Sequence, residues 1–207
     1  MKKISLKKVL SLMAVFAFIG LAVNSASAAT STSTTTISTT VLESISTSCG
    51  ATLALGNLTP GTPLSSNVTC TTTTNANGGY DLAVKRDDVD TTIDHTSDAA
   101  TNIADKTAWN SGTPNSATWS GTGLGFRVKQ SGTTAALYST TWWGADDTGT
   151  NAKYAGFPSP AYVNIASSAA YSSTATAVVV EAKADVDGTQ KSGTYNGTVT
   201  FQGTSKP

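Results

Sequence analysis

Short runs in which apolar and polar residues alternate limit most strongly what this 207-residue chain can fold into. Such runs cover residues 80–85, 124–129 and 195–202, and the segment 175–184 centres on three consecutive valines. A period of two places successive side chains on opposite faces of a β-strand. No segment has the 3.6-residue period of a long amphipathic helix. The pattern therefore predicts an all-β protein.

Turn-forming residues separate these runs. Residues 56–63 are rich in Gly, Asn and Pro, and 75–79 read Asn-Ala-Asn-Gly-Gly. We count seven to nine strands, which predicts an immunoglobulin-like two-sheet β-sandwich with long inserted loops. A closed barrel is the alternative. The inserted loops are residues 86–106, with room for a short helical turn, and residues 130–160.

The first 28 residues have the pattern of a secretory signal peptide: a basic head, an apolar run over 9–23 and Ala-Ser-Ala at 26–28. The apolar run is shorter than the roughly 20 residues of a membrane-spanning helix, so we expect cleavage after Ala28. Residues 29–40 are a Ser/Thr-rich leader that we predict to be flexible. Residues 41–207 then form a single β-sandwich domain. We expect a secreted protein, extracellular or at the cell surface with the periplasm as an alternative, and no transmembrane segment after cleavage.

The net charge of the chain limits which kinds of partner it can bind. Residues 29–207 carry nine basic and thirteen acidic side chains, a net charge of −4. Nucleic acids and anionic lipids are bound by clustered Lys and Arg, which this chain lacks. We therefore expect no nucleic-acid partner.

The chain has two cysteines, Cys49 and Cys70. Two cysteines in a secreted protein usually pair, and closing a loop of this length stabilises a fold by about 3 kcal/mol. We predict a disulfide between them. The alternatives are two free thiols or half of a metal site.

No set of residues forms a recognisable catalytic centre, so the sequence predicts a protein that is not an enzyme. His95 is the only histidine, and it lies in a polar, Asp-rich segment without a nucleophile motif. We interpret it as a solvated surface residue. Glu181 falls on the polar phase of the strand over 175–184 and is interpreted as a cross-strand surface charge.

Calcium is the one cofactor that the sequence leaves open. Asp87, Asp88 and Asp90 could supply oxygen ligands, although their spacing is not that of an EF-hand. The segments 146–149 and 185–188 are weaker candidates of the same kind. Solvated loops with Asx turns are the alternative explanation for all of these aspartates.

Large aromatic residues are concentrated in and beside the inserted loops. Tryptophan and tyrosine rings stack on sugars and are common at binding sites. The candidate binding residues are Trp109, Trp119, Trp142, Trp143 and Tyr154. The alternative is that these rings cap the core and fix the loops. In an extended strand, Trp142 and Trp143 would point to opposite faces, so that only one would be buried.

Three motifs together resemble a family: the pair Cys49…Val68-Thr69-Cys70, the turn and strand at 75–82, and the ending at 191–201. They are similar to secreted bacterial spore-coat-U-like and fimbrial-type β-sandwich modules. The resemblance implies a role in surface assembly, in which an N-terminal segment adds to a neighbour as a strand. Residues 30–46, with Ile37, Thr39 and Val41 in alternation, could serve in this way. Alternatively, 41–46 is the domain's own first strand and 29–40 is a tether.

The sequence therefore favours a structural or adhesive surface protein. Its partners would be other copies of itself or components of the cell envelope. The alternative is a carbohydrate-binding module that uses the loop tryptophans, with glycans as partners.

Overall fold

Antiparallel strands dominate the structure, a computed structural model that describes residues 29–87 and 92–207. It contains one short helix, α1 (Thr140–Trp143), and two single 3₁₀ turns at Ala135–Leu137 and Gly149–Asn151. The strands are β1 (Ile45–Cys49), β2 (Leu64–Thr74), β3 (Tyr80–Arg86), β4 (Thr92–His95), β5 (Asp98–Ala104), β6 (Ala117–Thr118), β7 (Gly123–Val128), β8 (Lys153–Tyr154), β9 (Val163–Ser168), β10 (Ser172–Asp185), β11 (Tyr195–Asn196) and β12 (Val199–Ser205).

The first layer is a four-stranded sheet in the order β1-β2-β10-β7. Its longest pairing joins β10 to β2, with Val178 opposite Cys70 and Val180 opposite Val68. These four side chains are buried, as the alternation in β10 requires. This face of the sheet supplies half of the core.

The second layer is a three-stranded sheet in the order β12-β3-β9. Leu82 and Val84 of β3 and Ile165 of β9 are fully buried, and they belong to the same core cluster as the valines of the first layer. The layers approach closely where β1 meets β12, because a Cβ atom on Gly203 would lie only 2.1 Å from Thr47 Oγ1. The predicted all-β sandwich is confirmed.

Two smaller sheets flank these layers: β11-β4-β5 and β6-β8. The expectation of a loop with a helical turn at 86–106 is wrong, because β4 and β5 form a hairpin there. Ile93 lies opposite Ile103 in that hairpin, and Ile103 is buried in the core. A mostly polar segment is therefore part of the fold, attached by these apolar residues and by the pairing of β4 with β11.

The first strand lies later in the chain than the alternation suggested. Residues 29–44 contain no strand or helix, and β1 begins at Ile45. The chain from residue 50 to 63 is irregular apart from a single bridge between Thr59 and Thr62. Leu53 and Leu55 nevertheless pack against the core without forming a ladder.

The predicted disulfide between Cys49 and Cys70 is confirmed. The two residues are direct partners in the β1–β2 ladder, so the disulfide fastens an edge strand to its neighbour. No cysteine is left free.

Residues Val41–Pro207 form one compact unit. Nowhere in 29–87 or 92–207 is there a helix long and apolar enough to cross a membrane.

Candidate functional site

Two of the five candidate aromatic residues, Trp109 and Trp143, lie in the core. Their side chains are 2% and 0% exposed, and their ring centroids are 4.5 Å apart. Each indole N–H donates to a backbone carbonyl of β9: Trp109 to Asn164 at 2.7 Å and Trp143 to Ile165 at 3.0 Å. The edge of β9 is thereby covered, which protects it from pairing with another chain. These two rings are not available as a binding platform.

Trp142 is half-buried beside them. It packs edge-on against Trp109, with 5.4 Å between the ring centroids. Trp142 and Trp143 belong to α1 and not to an extended strand, so their directions differ by about one hundred degrees instead of being opposite. Ser139 caps the helix by accepting a hydrogen bond from the Trp142 N–H at 3.3 Å. Trp142 therefore extends the core cluster toward the surface.

The other two aromatic candidates, Trp119 and Tyr154, come together on the outer face of the first layer. The β6–β8 ladder places Ala117 opposite Tyr154, and the rings of Trp119 and Tyr154 meet edge to face at 5.3 Å. Both lie over the face of β7 that carries Gly125, opposite the core face with Leu124 and Phe126. A Cβ atom on Gly125 would lie 3.2 Å from Trp119 Cζ3, so the glycine lets the indole pack closely on the sheet.

Two lysines surround this aromatic pair. Lys106 Nζ lies 4.6 Å from the centre of the Trp119 ring, and Lys183 Nζ lies 5.3 Å from the centres of both rings. Lys106 also donates to the carbonyls of Ser120 and Thr122, at 2.6 and 2.5 Å. Burial lowers the pKa of Lys106, and the nearby Asp185 carboxylate partly offsets this effect.

A pocket of about 110 Å³ opens beside these groups. It is lined by aromatic rings, an ammonium group and small polar side chains. The lining residues are Lys106, Thr107, Asn115, Ala117, Thr118, Trp119, Ser120 and Tyr154. The sequence did not identify Lys106 and Lys183 as site residues, although Arg127, Glu181 and Lys183 do occur at alternate positions of two predicted strands. This row of charged residues on the outer face of the sheet was the sequence feature that could have indicated the site.

A buried polar network lies beneath Tyr154. The Tyr154 hydroxyl donates to Glu181 Oε1 at 3.1 Å, and both residues are buried. Desolvation, reinforced by the Glu181 carboxylate, raises the pKa of Tyr154 to about 12. Arg127 lies opposite Glu181 in the β7–β10 ladder and donates to Asp147 at 2.6 Å. The interpretation of Glu181 as a surface charge is therefore wrong, since the β6–β8 ladder covers this part of the sheet.

The interpretation of His95 as a solvated residue is also wrong, because it is buried against Tyr195 at 5.1 Å between ring centroids. Its Nδ1 accepts a hydrogen bond from the Ser97 N–H, and its Nε2 lies 3.1 Å from the Ser192 carbonyl. A Ser-His-Asp triad has a carboxylate on the second ring nitrogen, and here a backbone carbonyl takes that place. These contacts attach β11 to β4.

The candidate calcium ligands are only partly described. Asp88 and Asp90 lie outside the described residues, and Asp87 accepts a hydrogen bond from the Thr200 hydroxyl. Asp146 and Asp187 accept hydrogen bonds from the backbone N–H groups two residues later, which is the Asx-turn arrangement. Over residues 29–87 and 92–207, no three His, Cys, Asp or Glu side chains are grouped as a metal site.

Comparisons with known proteins give no relative from which a role could be taken. No family model, no curated protein and no solved structure matches this chain.

Proposed function

We propose that this protein is a non-catalytic structural or adhesive module of a bacterial cell surface. It associates with other copies of itself, or with components of the envelope, through its N-terminal segment, residues 29–44. One disulfide holds the edge strand that follows this segment.

The observation that carries the proposal is the exposure of apolar side chains in this segment. Ile37, Val41 and Leu42 are 94%, 79% and 81% exposed, and they are three of the five large exposed hydrophobic residues in the described chain. Isolated exposed apolar residues are ordinary, but three within six positions form a local cluster of the kind that marks interaction sites. Ile37 and Val41 also share one phase of an extended chain with Thr39.

The sandwich has an open edge on which such a segment could add. In the described sheets β12 pairs only with β3, so its outer backbone groups have no ladder partner. The edge of β9 is not open in this way, because two of its carbonyls accept hydrogen bonds from the indole N–H groups of Trp109 and Trp143. Strand addition uses backbone hydrogen bonds for affinity and alternate side chains for specificity. The N-terminal segment of one copy would then pair with β12 of the next.

The test compares charge substitutions in the two phases of the segment. The variant Ile37→Asp with Val41→Asp places two charges on the apolar phase, whereas Thr36→Asp with Thr40→Asp places them on the other phase. Both are made in protein lacking residues 1–28, and association is measured by analytical ultracentrifugation across a concentration series.

We expect oligomers for the unsubstituted protein and for the Thr variant, and monomers for the Ile/Val variant. Equal association of both variants would show that the apolar phase has no role. A protein that stays monomeric at every concentration and binds no envelope fraction would refute the proposal.

A further inference from the structure

Trp119 is held in a different way from the two core tryptophans. Its Nε1 has no accessible surface and no acceptor among the residues that the structure describes. Trp109 and Trp143 both donate to carbonyls of β9. Burying an N–H group without a partner costs about 1–3 kcal/mol, so the fold holds Trp119 in this position at a cost to its stability. Filling the core does not explain Trp119, because this ring lies outside the core, over Gly125.

The charge around Trp119 is equally unusual for this chain. The ion pairs between described residues use Arg86, Arg127, Lys191 and Lys206 as their cations. Lys183 has neither an ion pair nor a hydrogen bond within 29–87 and 92–207, and its Nζ lies 5.3 Å from the ring centres of Trp119 and Tyr154. Glu181 and Asp185 share this face of β10, but they accept hydrogen bonds from the Tyr154 hydroxyl and the Val186 N–H and form no ion pair with Lys183. On a domain with net charge −4, Lys183 is therefore a cation that has no ion-pair partner among the described residues.

We propose that the pocket beside Trp119 binds a hexuronate residue of an acidic polysaccharide. The edge of the sugar ring packs against Trp119 and Tyr154 in the pocket. Its carboxylate extends past these rings to Lys183, which lies outside the pocket lining with its Nζ 5.3 Å from the centres of both rings. None of the residues that line the pocket belongs to the N-terminal segment, so this site goes beyond the assembly role.

The size of the pocket limits what it can accept. A volume of about 110 Å³ is well below the 300–1,000 Å³ of sites that enclose a drug-sized molecule. It admits one sugar unit or one substituent of a longer chain. Thr118, Ser120 and Asn115 line the same pocket and offer polar contacts for ring hydroxyls.

The charges decide between neutral and acidic sugars. A neutral sugar could pack against the rings but would offer the half-buried Lys183 ammonium no anion to pair with. Lys106 is less available, because its ammonium donates to two carbonyls and interacts with Asp185. Lys183 is therefore the cation that we assign to the carboxylate. An exposed ammonium–carboxylate contact weakens as salt rises, which gives the proposal a second readout.

The test uses oligogalacturonate as the charged probe and its methyl ester as the matched neutral probe. Binding to the protein without residues 1–28 is measured by isothermal titration calorimetry at two salt concentrations. The variants are Trp119→Ala and Lys183→Gln. The control is Lys153→Gln, because Lys153 is opposite Thr118 in the β6–β8 ladder and is adjacent in sequence to Tyr154, which places it on the other face of that ladder.

We expect at least a tenfold loss of affinity for Lys183→Gln, for Trp119→Ala and for the methyl ester, and less than a twofold change for Lys153→Gln. Urea unfolding of each variant separates lost binding from lost structure. Equal losses for Lys153→Gln and Lys183→Gln, or equal binding of the ester, would overturn the assignment. If dextran sulfate binds as tightly as oligogalacturonate, any polyanion suffices and the assignment is wrong. The assignment is also wrong if the folded protein does not bind oligogalacturonate.

Discussion

The alkaline stability of the protein depends on Tyr154, and replacing it by phenylalanine provides a quantitative test. Its hydroxyl is buried against Glu181, and its pKa is raised from 10.0 to about 12. Because the folded pKa lies above the unfolded one, the neutral hydroxyl stabilises the native state below pH 10. This contribution is lost as the pH rises toward 12. Two pKa units correspond to about 2.7 kcal/mol.

The measurement is urea unfolding of wild type and Tyr154→Phe at several pH values between 8 and 12, followed by tryptophan fluorescence. At pH 8 the variant is less stable by about 1 kcal/mol, because the hydrogen bond to Glu181 is gone. Between pH 10 and 12 the wild type loses about 2–3 kcal/mol more than the variant, so the two curves converge and cross. The difference between the curves is what matters, since other groups titrate in both proteins.

The matched control is Tyr171→Phe, which changes an exposed tyrosine. Its stability curve should follow the wild type at every pH. Parallel curves for wild type and Tyr154→Phe from pH 8 to 12 would refute the reasoning. The Tyr154 hydroxyl would then have the same pKa in the folded and unfolded chain. Its buried contact with Glu181 would make no contribution to the pH dependence of the free energy of unfolding.

Three further substitutions test the packing, each by the free energy of unfolding in urea. Replacing Cys49 and Cys70 together by Ala should cost about 3 kcal/mol, and the same loss should appear when wild type is unfolded with reductant. Asp105→Asn should cost about 3–5 kcal/mol, because it leaves the buried Arg86 guanidinium without the carboxylate that lies 2.5 Å from it; a cost below 1 kcal/mol would contradict a buried pair. Trp143→Ala should cost about 3–5 kcal/mol and reduce the near-ultraviolet circular dichroism signal, whereas an unchanged spectrum would mean that the ring is not packed.

The strands of the two main layers were predictable where each one alternates strictly. Leu82 and Val84, and the valines of β10, occupy the core faces that the period of two assigns to them. The disulfide was predictable too, since the expected compartment and the number of cysteines left one pairing. The hairpin β4–β5 was not predictable, because its residues are mostly polar and it is attached to the fold through partners distant in sequence, such as the core around Ile103 and the β11 strand that pairs with β4.

The positions of the tryptophans also could not be predicted from the local sequence. Nothing in the local sequence separates Trp109 and Trp143, which are buried, from Trp119, which lies over Gly125 on the outside of the sheet. Their positions depend on β9, which is more than twenty residues away from Trp143 and supplies the carbonyls for the two buried indoles. Local composition carries no information about such a partner.

Alternation and turn residues were enough to establish the all-β class. Successive side chains of a strand point to opposite faces, and this period of two can be recognised in each short segment by itself. The pocket with Lys106, Trp119 and Tyr154, and the position of Lys183 beside it, depended on the tertiary structure alone. These residues come from four separate segments, and only sheet register and loop packing bring their side chains within contact. A local pattern determines which face a side chain occupies, but only long-range packing determines which other side chains share that face.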